Sequence, residues 1–275
     1  MPLCDPGLNP LDHMNRAALL QAGFTEATVE SSVGRQTCFA AGSGERLALL
    51  HGAGDHAGSW LKAAPALTGH YRVLVPDMAG RGASEPLHKP VTMEAMLAGL
   101  DAVLAGDDRL ILVGNSLGAW AAMAWATARP DRVSRVVAVN GGPLRGLRPG
   151  LTLTPADRDE ARRLWQSMLD PANHSIPDLM LDELIRKGRV GALSRMRWED
   201  FHGHLMEGRL GEIAAPVDLL WGASDQLVPL AHAENMLRGF RAARLTLIPG
   251  CGHMPHLEKA DRFNAALAGV LESLP

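Results

Sequence analysis

The chain has few cysteines, and they form no pattern that would join them. Cys4, Cys38 and Cys251 are odd in number and widely separated, and no C-x-x-C pair occurs among the 275 residues. This spacing argues against a disulfide framework and against a cysteine-based zinc site. We therefore expect plain thiols, no bound metal and no other cofactor.

Long apolar runs and strong net charge are also missing. No stretch of about 18 uninterrupted apolar residues occurs, so the sequence predicts no transmembrane span. The first residues, MPLCDPGLNPLDHMNR, hold prolines and acids where a secretory signal needs a basic start and an apolar core. The formal net charge is only −3, and the basic residues are scattered. We expect a cytoplasmic protein whose partner is a small-molecule substrate, not nucleic acid or a membrane. The sequence leaves its oligomeric state open.

Short apolar runs separated by longer stretches dominate the sequence from about residue 28. They are LALLHG, YRVLVPD, RLILVGNS and RVVAVNGG, and after residue 211 PVDLLWGASD and RLTLIPGCGH. Continuous Val, Leu and Ile, rather than alternation with polar residues, is typical of strands buried on both faces of a parallel sheet. The sequence therefore predicts an α/β fold with a mostly parallel, doubly covered sheet.

Residues 143–211 break this rhythm with helical sequence. Thr154 is the predicted N-cap of a first helix, with Pro155 at the first helical position. A second helix is expected to begin near Pro177 and to stop at Gly188. We predict that this block forms a lid over the sheet, which divides the chain into an N-terminal arm (1–27), a first part of the α/β core (28–142), the helical lid (143–211) and a second part of the core (212–275). For the arm, a short helix on the body and a disordered segment both remain open.

Ser116 stands between two glycines at the spacing G-x-S-x-G, after an apolar run and before an alanine-rich one. Interpreted as strand, tight turn and helix, the segment places the serine hydroxyl at the tip of a sharp bend, where a nucleophile belongs. Gly114 and Gly118 remove side chains that would clash in such a turn. The N–H of Leu117 is then free at a helix N-terminus to donate to a developing oxyanion. The alternative is a simple glycine-rich turn, which the flanking strand and helix disfavour.

Three further groups are needed before a serine can react. The strand ending in HGAG offers the N–H of Ala53 as a second oxyanion donor, whereas His51 is expected only to shape this loop. A serine hydroxyl also needs a base, and the base needs an acid to hold its tautomer. Later strand ends supply His253 in GCGHMPH and Asp225 in GASDQLVP. Asn140, at another strand end, cannot serve as the acid.

Other candidates fit these roles less well. Asp218 lies inside a strand run, and His256 is expected to open the helix that follows His253. His202 and His204 form an H-x-H without a recognisable third ligand nearby, which we interpret as lid surface rather than as a metal site.

Five motifs, in this order, resemble the α/β-hydrolase superfamily over about residues 28–272: HGAG, DMAGRGAS, GNSLGA, GASDQLVP and GCGHMPHLEKADRF. A serine at the elbow differs from the aspartate of the haloalkane dehalogenase and epoxide hydrolase branches. The default reaction is hydrolysis of a carboxylic ester of a small, largely apolar substrate through an acyl-enzyme. The resemblance implies the roles of the reacting groups, with Ser116 as nucleophile, His253 as general base, Asp225 as its orienting acid, and the amides of Ala53 and Leu117 as the oxyanion hole.

A closer similarity links the chain to the meta-cleavage-product hydrolases, which cut carbon–carbon bonds in vinylogous diketones. Asn115 matches their elbow, and Arg189 falls where they carry an arginine that holds the substrate carboxylate. Two positions depart: Met254 replaces the aromatic residue after the histidine, and Lys62 replaces an asparagine two residues after Trp60. These five residues are the candidates for substrate contact. We expect ester hydrolysis, with carbon–carbon bond hydrolysis as the alternative and a non-catalytic small-molecule binding protein as a third possibility, since fold does not fix function.

Overall fold

The computed structural model describes residues 4–106, 108–145 and 151–273. Parts of the predicted arm (1–3), core (107, 274–275) and lid (146–150) lie outside the described residues. The strands are β1 (Thr25–Ser31), β2 (Gly34–Ala41), β3 (Glu45–Leu50), β4 (Tyr71–Pro76), β5 (Leu110–Asn115), β6 (Val133–Val139), β7 (Val217–Gly222) and β8 (Ala243–Ile248). They form one eight-stranded sheet in the order β1-β2-β4-β3-β5-β6-β7-β8. β2 pairs antiparallel with β1 and β4, and the other neighbours are parallel, as the sequence predicts.

Helices cover both faces of this sheet. The α-helices are α1 (Pro10–Gln21), α2 (Ala64–Leu67), α3 (Met93–Val103), α4 (Leu117–Ala128), α5 (Arg158–Met168), α6 (Asp178–Val190), α7 (Trp198–Phe201), α8 (Leu230–Gly239), α9 (Pro255–Glu258) and α10 (Ala260–Glu272). Short 3₁₀ helices span Ala57–Trp60, Pro130–Arg132, Pro171–Asn173, Ala192–Arg195, His202–His204 and Leu210–Glu212. Within the described ranges, no helix combines the length and the apolarity that crossing a bilayer requires.

The continuous apolar runs of the central strands have the physical cause that the sequence predicts. Along β3, Leu47 and Leu49 face one core cluster, and Ala48 and Leu50 face the other. Because successive side chains of a strand point to opposite faces, a strand covered on both sides needs apolar residues at every position. The β1–β2 hairpin was not singled out from the sequence. Its outer strand, TEATVES, lies at the sheet edge, is mostly exposed, and so lacks a continuous apolar run.

Several helices lie between β6 and β7, and we call the described residues of this stretch the helical insertion. Its first helix begins later than predicted, because Asp157 rather than Thr154 is the N-cap and Oδ1 of Asp157 accepts from the amide of Glu160 at 2.9 Å. The Thr154 hydroxyl is engaged with Thr152 instead. Because the helix begins after Asp157, Pro155 lies outside it and is not its first residue.

The second helix of the insertion begins after Pro177 as predicted, but it does not stop at Gly188. It continues to Val190, and Gly191 follows as the C-cap. A Cβ at residue 188 would lie 3.0 Å from Cα of Thr154, so this glycine allows close packing of α6 on the preceding segment. The glycine therefore serves a tertiary contact and does not end the helix.

The N-terminal segment forms α1 and lies against the helical insertion. Asn9 caps α1 in a capping box with Asp12, and its side-chain amide donates to Glu183 of α6 at 3.0 Å. Arg186 of α6 donates to the carbonyl oxygen of Gly7 at 2.7 Å. These hydrogen bonds join the start of the chain to the insertion.

Candidate active site

Ser116 occupies a strained turn between β5 and α4. Its backbone has φ 54° and ψ −117°, in a region that residues other than glycine rarely adopt. The two flanking glycines explain how the turn is held. A Cβ on Gly114 would overlap the backbone of Gly118, and a Cβ on Gly118 would overlap the carbonyl oxygen of Leu50 in β3. The G-x-S-x-G spacing is thus required by the close approach of β3, β5 and α4.

Gly118→Ala should lower the free energy of unfolding by about 1–3 kcal/mol, because the added methyl group has to displace strand backbone. Urea denaturation would measure this change. Gly269→Ala in α10 is the matched control, because nothing lies within 4 Å of a Cβ at residue 269. That control should be neutral or stabilising by about 0.5–1 kcal/mol, since alanine has the higher helix propensity. Equal stability of the two variants would contradict this explanation of the elbow.

Among the described residues, two with unpaired backbone amides, Leu117 and Ala53, line the cavity at Ser116. Leu117 is the first residue of α4, so its N–H has no acceptor within the helix. Ala53 lies in the loop after β3, and both residues line the same cavity as Ser116. In the described part of the chain, neither amide has a hydrogen-bond acceptor. Both donors are therefore available to a ligand at Ser116.

The loop that carries Ala53 is held by two buried basic side chains. Arg81 donates from Nε to the carbonyl oxygen of Ala53 at 2.9 Å. His51 contacts the carbonyl oxygen of Gly52 through Nδ1 at 2.9 Å, and its Nε2 accepts from the amide of Met78 at 3.0 Å. Burial lowers the pKa of His51 to about 3, so the ring is neutral. His51 shapes the loop, as predicted from the sequence.

His253 and Asp225 form a buried pair at the ends of two neighbouring strands. The distance from His253 Nδ1 to Asp225 Oδ2 is 2.8 Å. The amides of Leu227 and Val228 both donate to Asp225 Oδ1 at 2.9 Å. Because an ionised carboxylate can only accept hydrogen bonds, Nδ1 of His253 carries the proton and Nε2 remains the basic nitrogen. The arrangement suits a histidine that takes up a proton at Nε2.

Asn140 supports this pair, a role that was not predicted from the sequence. It has φ 49°, donates from Nδ2 to Asp225 Oδ2 at 2.8 Å, and accepts from the amide of Gly222 at 2.9 Å. Asn140 therefore fixes the position of the carboxylate without being an acid itself. The sequence did contain a signal for this role. Asn140 is a polar residue at the end of β6, and β6 is the neighbour of β7, after which Asp225 follows.

Asn115 links the elbow to the histidine loop. Its side-chain amide donates to the carbonyl oxygens of Val139 at 3.1 Å and of His253 at 2.9 Å. The side chain is buried. Asn115 immediately precedes Ser116, so these bonds hold the loop of His253 beside the elbow. Asn115 therefore has a structural role.

A cavity of about 80 Å³ adjoins Ser116. One of its walls comes from the helical insertion, and Trp120 of α4 donates to the carbonyl oxygen of His204 there at 2.9 Å. The lining is mostly apolar: Ala53, Ser116, Leu117, Trp120, Gly141, Gly142, Leu144, Leu153, Trp198, Val228 and His232. Burial lowers the pKa of His232, which favours its neutral form. None of the described lining residues is a Lys or an Arg.

Four predicted substrate-contact residues lie away from this lining. Trp60 is buried in the other core cluster and stacks on His256, with ring centroids 4.3 Å apart. The exposed Lys62 donates to the carbonyl oxygen of Leu257 at 3.2 Å. Arg189 is also exposed and donates to the carbonyl oxygen of Ala156 at 2.9 Å, and Met254 is the N-cap of α9. The structure brings none of these four side chains to the cavity.

Comparison with known proteins agrees with the observed fold. A family model described as the alpha/beta hydrolase family matches residues 47–266. The chain belongs to the alpha/beta hydrolase family. This α/β-hydrolase is 28% identical over 263 residues to a 2-hydroxy-6-oxononadienedioate/2-hydroxy-6-oxononatrienedioate hydrolase of Paraburkholderia xenovorans (strain LB400), covering 84% of this chain and 88% of that protein.

Solved structures confirm the predicted fold of this α/β-hydrolase. The carboxylesterase CesB of Bacillus subtilis superposes with a TM-score of 0.73 at 16% identity, covering 95% of this chain and 98% of that chain. A meta-cleavage product hydrolase of Pseudomonas fluorescens IP01 superposes with a TM-score of 0.70 at 22% identity, covering 89% and 97%. Together with the family match, the relatives identify the protein as a hydrolase.

Proposed function

We propose that this α/β-hydrolase cleaves carboxylic esters of small, largely apolar molecules through an acyl-enzyme on Ser116. The observation that carries the proposal is the strained serine elbow at the wall of an apolar cavity whose described lining has no Lys or Arg. A substrate carboxylate would lose its hydration there without gaining a cationic partner. A neutral ester has no such cost. Residues 143–211 would form the lid that separates this substrate from solvent.

The proposed reaction begins with proton transfer from Ser116 Oγ to His253 Nε2, as Oγ attacks the acyl carbon. Asp225 stabilises the resulting imidazolium through Nδ1. The amides of Ala53 and Leu117 donate to the oxyanion, and each such donor typically contributes about 3 kcal/mol in the transition state. His253 then gives its proton to the leaving alkoxide, and the alcohol departs.

Water completes the cycle. His253 takes a proton from the water molecule that attacks the acyl-enzyme, and a second oxyanion forms in the same pair of amides. When this intermediate collapses, Ser116 Oγ leaves and receives the proton from His253. The products are a carboxylic acid and the regenerated serine, and the scheme uses no cofactor.

Hydrolysis of a carbon–carbon bond is the second candidate. The named activity of the relative from Paraburkholderia xenovorans and the match of Asn115 to the elbow of meta-cleavage-product hydrolases favour it. Against it, Arg189 is exposed and bound to Ala156, so it supplies no cation at the cavity. Ester hydrolysis therefore remains the better-supported reaction.

A side-by-side assay separates the two reactions. Aryl esters from acetate to decanoate and a ring-fission dienoate would be compared by kcat/KM under one set of conditions. We expect the best ester to exceed the dienoate by more than about tenfold, a difference that a mismatched pocket readily produces. Faster cleavage of the dienoate would replace the ester proposal with carbon–carbon bond hydrolysis.

A further inference from the structure

A carboxyl group faces the elbow beside Ser116. Asp55 follows the loop of Ala53, and its Oδ2 lies 3.3 Å from the point that a Cβ on Gly52 would occupy. The same point is 3.6 Å from Cβ of Ser116 and 3.3 Å from Oδ1 of Asn115. The carboxylate oxygen and the serine side chain therefore border one small space above Gly52.

The basic side chains near Asp55 are paired with other groups. Lys187 Nζ lies 2.7 Å from Asp12 Oδ2, and His56 Nε2 lies 3.2 Å from Asp12 Oδ1. Arg81 donates to backbone carbonyl oxygens. Over the described residues, the Asp55 side chain has neither a hydrogen bond nor an ion pair. No neighbouring side chain in the described ranges therefore pairs with the carboxyl group of Asp55 directly.

Asp55 is also open to a second, very small cavity. This cavity lies between the N-terminal segment and the helical insertion, and its volume of about 10 Å³ suits a single water molecule. Its lining is Asp5, Gly7, Leu8, Gly54, Asp55, Lys187, Gly191, Ala192 and Leu193. Besides Asp55, Asp5 and Lys187 are the charged residues of this lining, and the rest of it is glycine, alanine and leucine.

We propose that Asp55 sets the charge preference of the site, favouring esters with a fixed cationic group next to the scissile bond and disfavouring esters with an anionic group there. The inference rests on the proposed ester hydrolysis at Ser116. An unneutralised carboxylate in a poorly hydrated site attracts a nearby cation and repels an anion more strongly than it would in water. The cationic group would be an ammonium in the alcohol or acyl part of the ester.

This preference should depend on pH. Burial raises the pKa of Asp55. Lys187, His56 and His253 act to lower it, and the Asp12 carboxylate acts to raise it. Below this raised pKa the carboxyl is neutral, so the preference for a cation should be absent at low pH and appear as the pH rises. Protonation of His253 affects all esters alike and cancels in a ratio of kcat/KM values.

The test uses three butyrate esters that share one acyl group. Their alcohols are choline, its uncharged isostere 3,3-dimethylbutanol, and the anionic 2-sulfoethanol. We expect the ratio of kcat/KM for the choline ester to that for the sulfoethyl ester to fall at least about tenfold in Asp55→Asn, which corresponds to about 1.4 kcal/mol. The exposed Asp131→Asn changes the net charge equally and should leave the ratio as in the wild type.

Several outcomes would overturn the inference. An equal loss of kcat for all three esters in Asp55→Asn would indicate that Asp55 positions water or the loop and does not discriminate between substrates of different charge. If this variant does not fold, the wild type still decides, because equal kcat/KM values for the choline and sulfoethyl esters at high pH, where the carboxyl group is ionised, contradict the proposal. Equal hydrolysis of the three esters overturns only this inference, whereas the absence of Ser116-dependent ester hydrolysis overturns the proposed function as well.

Discussion

Ser116→Ala is expected to lower kcat for aryl esters by about a million-fold, the scale seen when a triad nucleophile is removed. Alanine keeps the Cβ and adopts the same backbone as serine, so the elbow should stay intact while the attacking oxygen is lost. Release of the aryl alcohol would be followed by absorbance, and thermal unfolding would verify that the fold is retained. Any residual rate would come from the amides of Ala53 and Leu117 and from substrate binding alone.

Ser134→Ala is the matched control for this experiment. Its hydroxyl contacts Glu45 at the surface, far from the cavity lining. This variant should hydrolyse the esters at the wild-type rate. If Ser116→Ala were as active as the control, Ser116 would not be the nucleophile. If the wild type and both variants released no alcohol above the uncatalysed rate, the third possibility, a small-molecule binding protein, would gain support.

Asp225→Asn should lower kcat by about ten thousand-fold, although it changes one atom. The amides of Leu227 and Val228 donate to Oδ1 of Asp225, so the amide oxygen of an asparagine would turn toward them. Its NH2 group would then face Nδ1 of His253 and the NH2 group of Asn140. Two donors cannot pair, so His253 would move its proton to Nε2 and lose the ability to accept one from Ser116.

The kinetic signature separates this effect from a loss of stability. In Asp225→Asn we expect kcat to fall while KM for the ester changes little, because the residue does not line the cavity. Asp218→Asn is the comparison, since Asp218 is another buried carboxylate and pairs with Arg135 and Arg244. That variant should lose stability but keep its kcat within about twofold, in line with a group that acts only on the fold. Similar kcat values for the two variants would contradict the assignment.

The helical insertion shows why local patterns were only partly reliable. Thr154 and Asp157 are both N-cap residue types three positions apart, and the hydrogen bond of Thr154 with Thr152 leaves Asp157 as the cap. Gly188 is a residue type that commonly ends a helix, but here the absence of a Cβ allows α6 to pack closely against Thr154. In both cases a neighbour that local sequence does not specify decided the outcome.

Distant neighbours also decided the roles of residues in the candidate active site. Asn115 and Asn140 have amide groups that fit substrate contact or loop support equally well when only the sequence is known. Their partners, the carbonyl oxygen of His253 and the carboxylate of Asp225, lie 138 and 85 residues away along the chain. Arg189 matched a position of a related family and Lys62 departed from it. Both side chains donate to backbone carbonyl oxygens, of Ala156 and Leu257, and neither lines the cavity.

By itself, the sequence determined the parallel strands and the serine elbow, because both depend on short-range patterns: apolar residues at every strand position and glycines where no Cβ fits. It also determined which strand ends carry His253 and Asp225. Only the tertiary structure decided which side chains meet at those ends, including the exposure of Asp55 to the elbow and the removal of Trp60 to the opposite core. The reason is physical: side-chain direction in a loop depends on packing between elements distant in sequence, and no single segment contains that information.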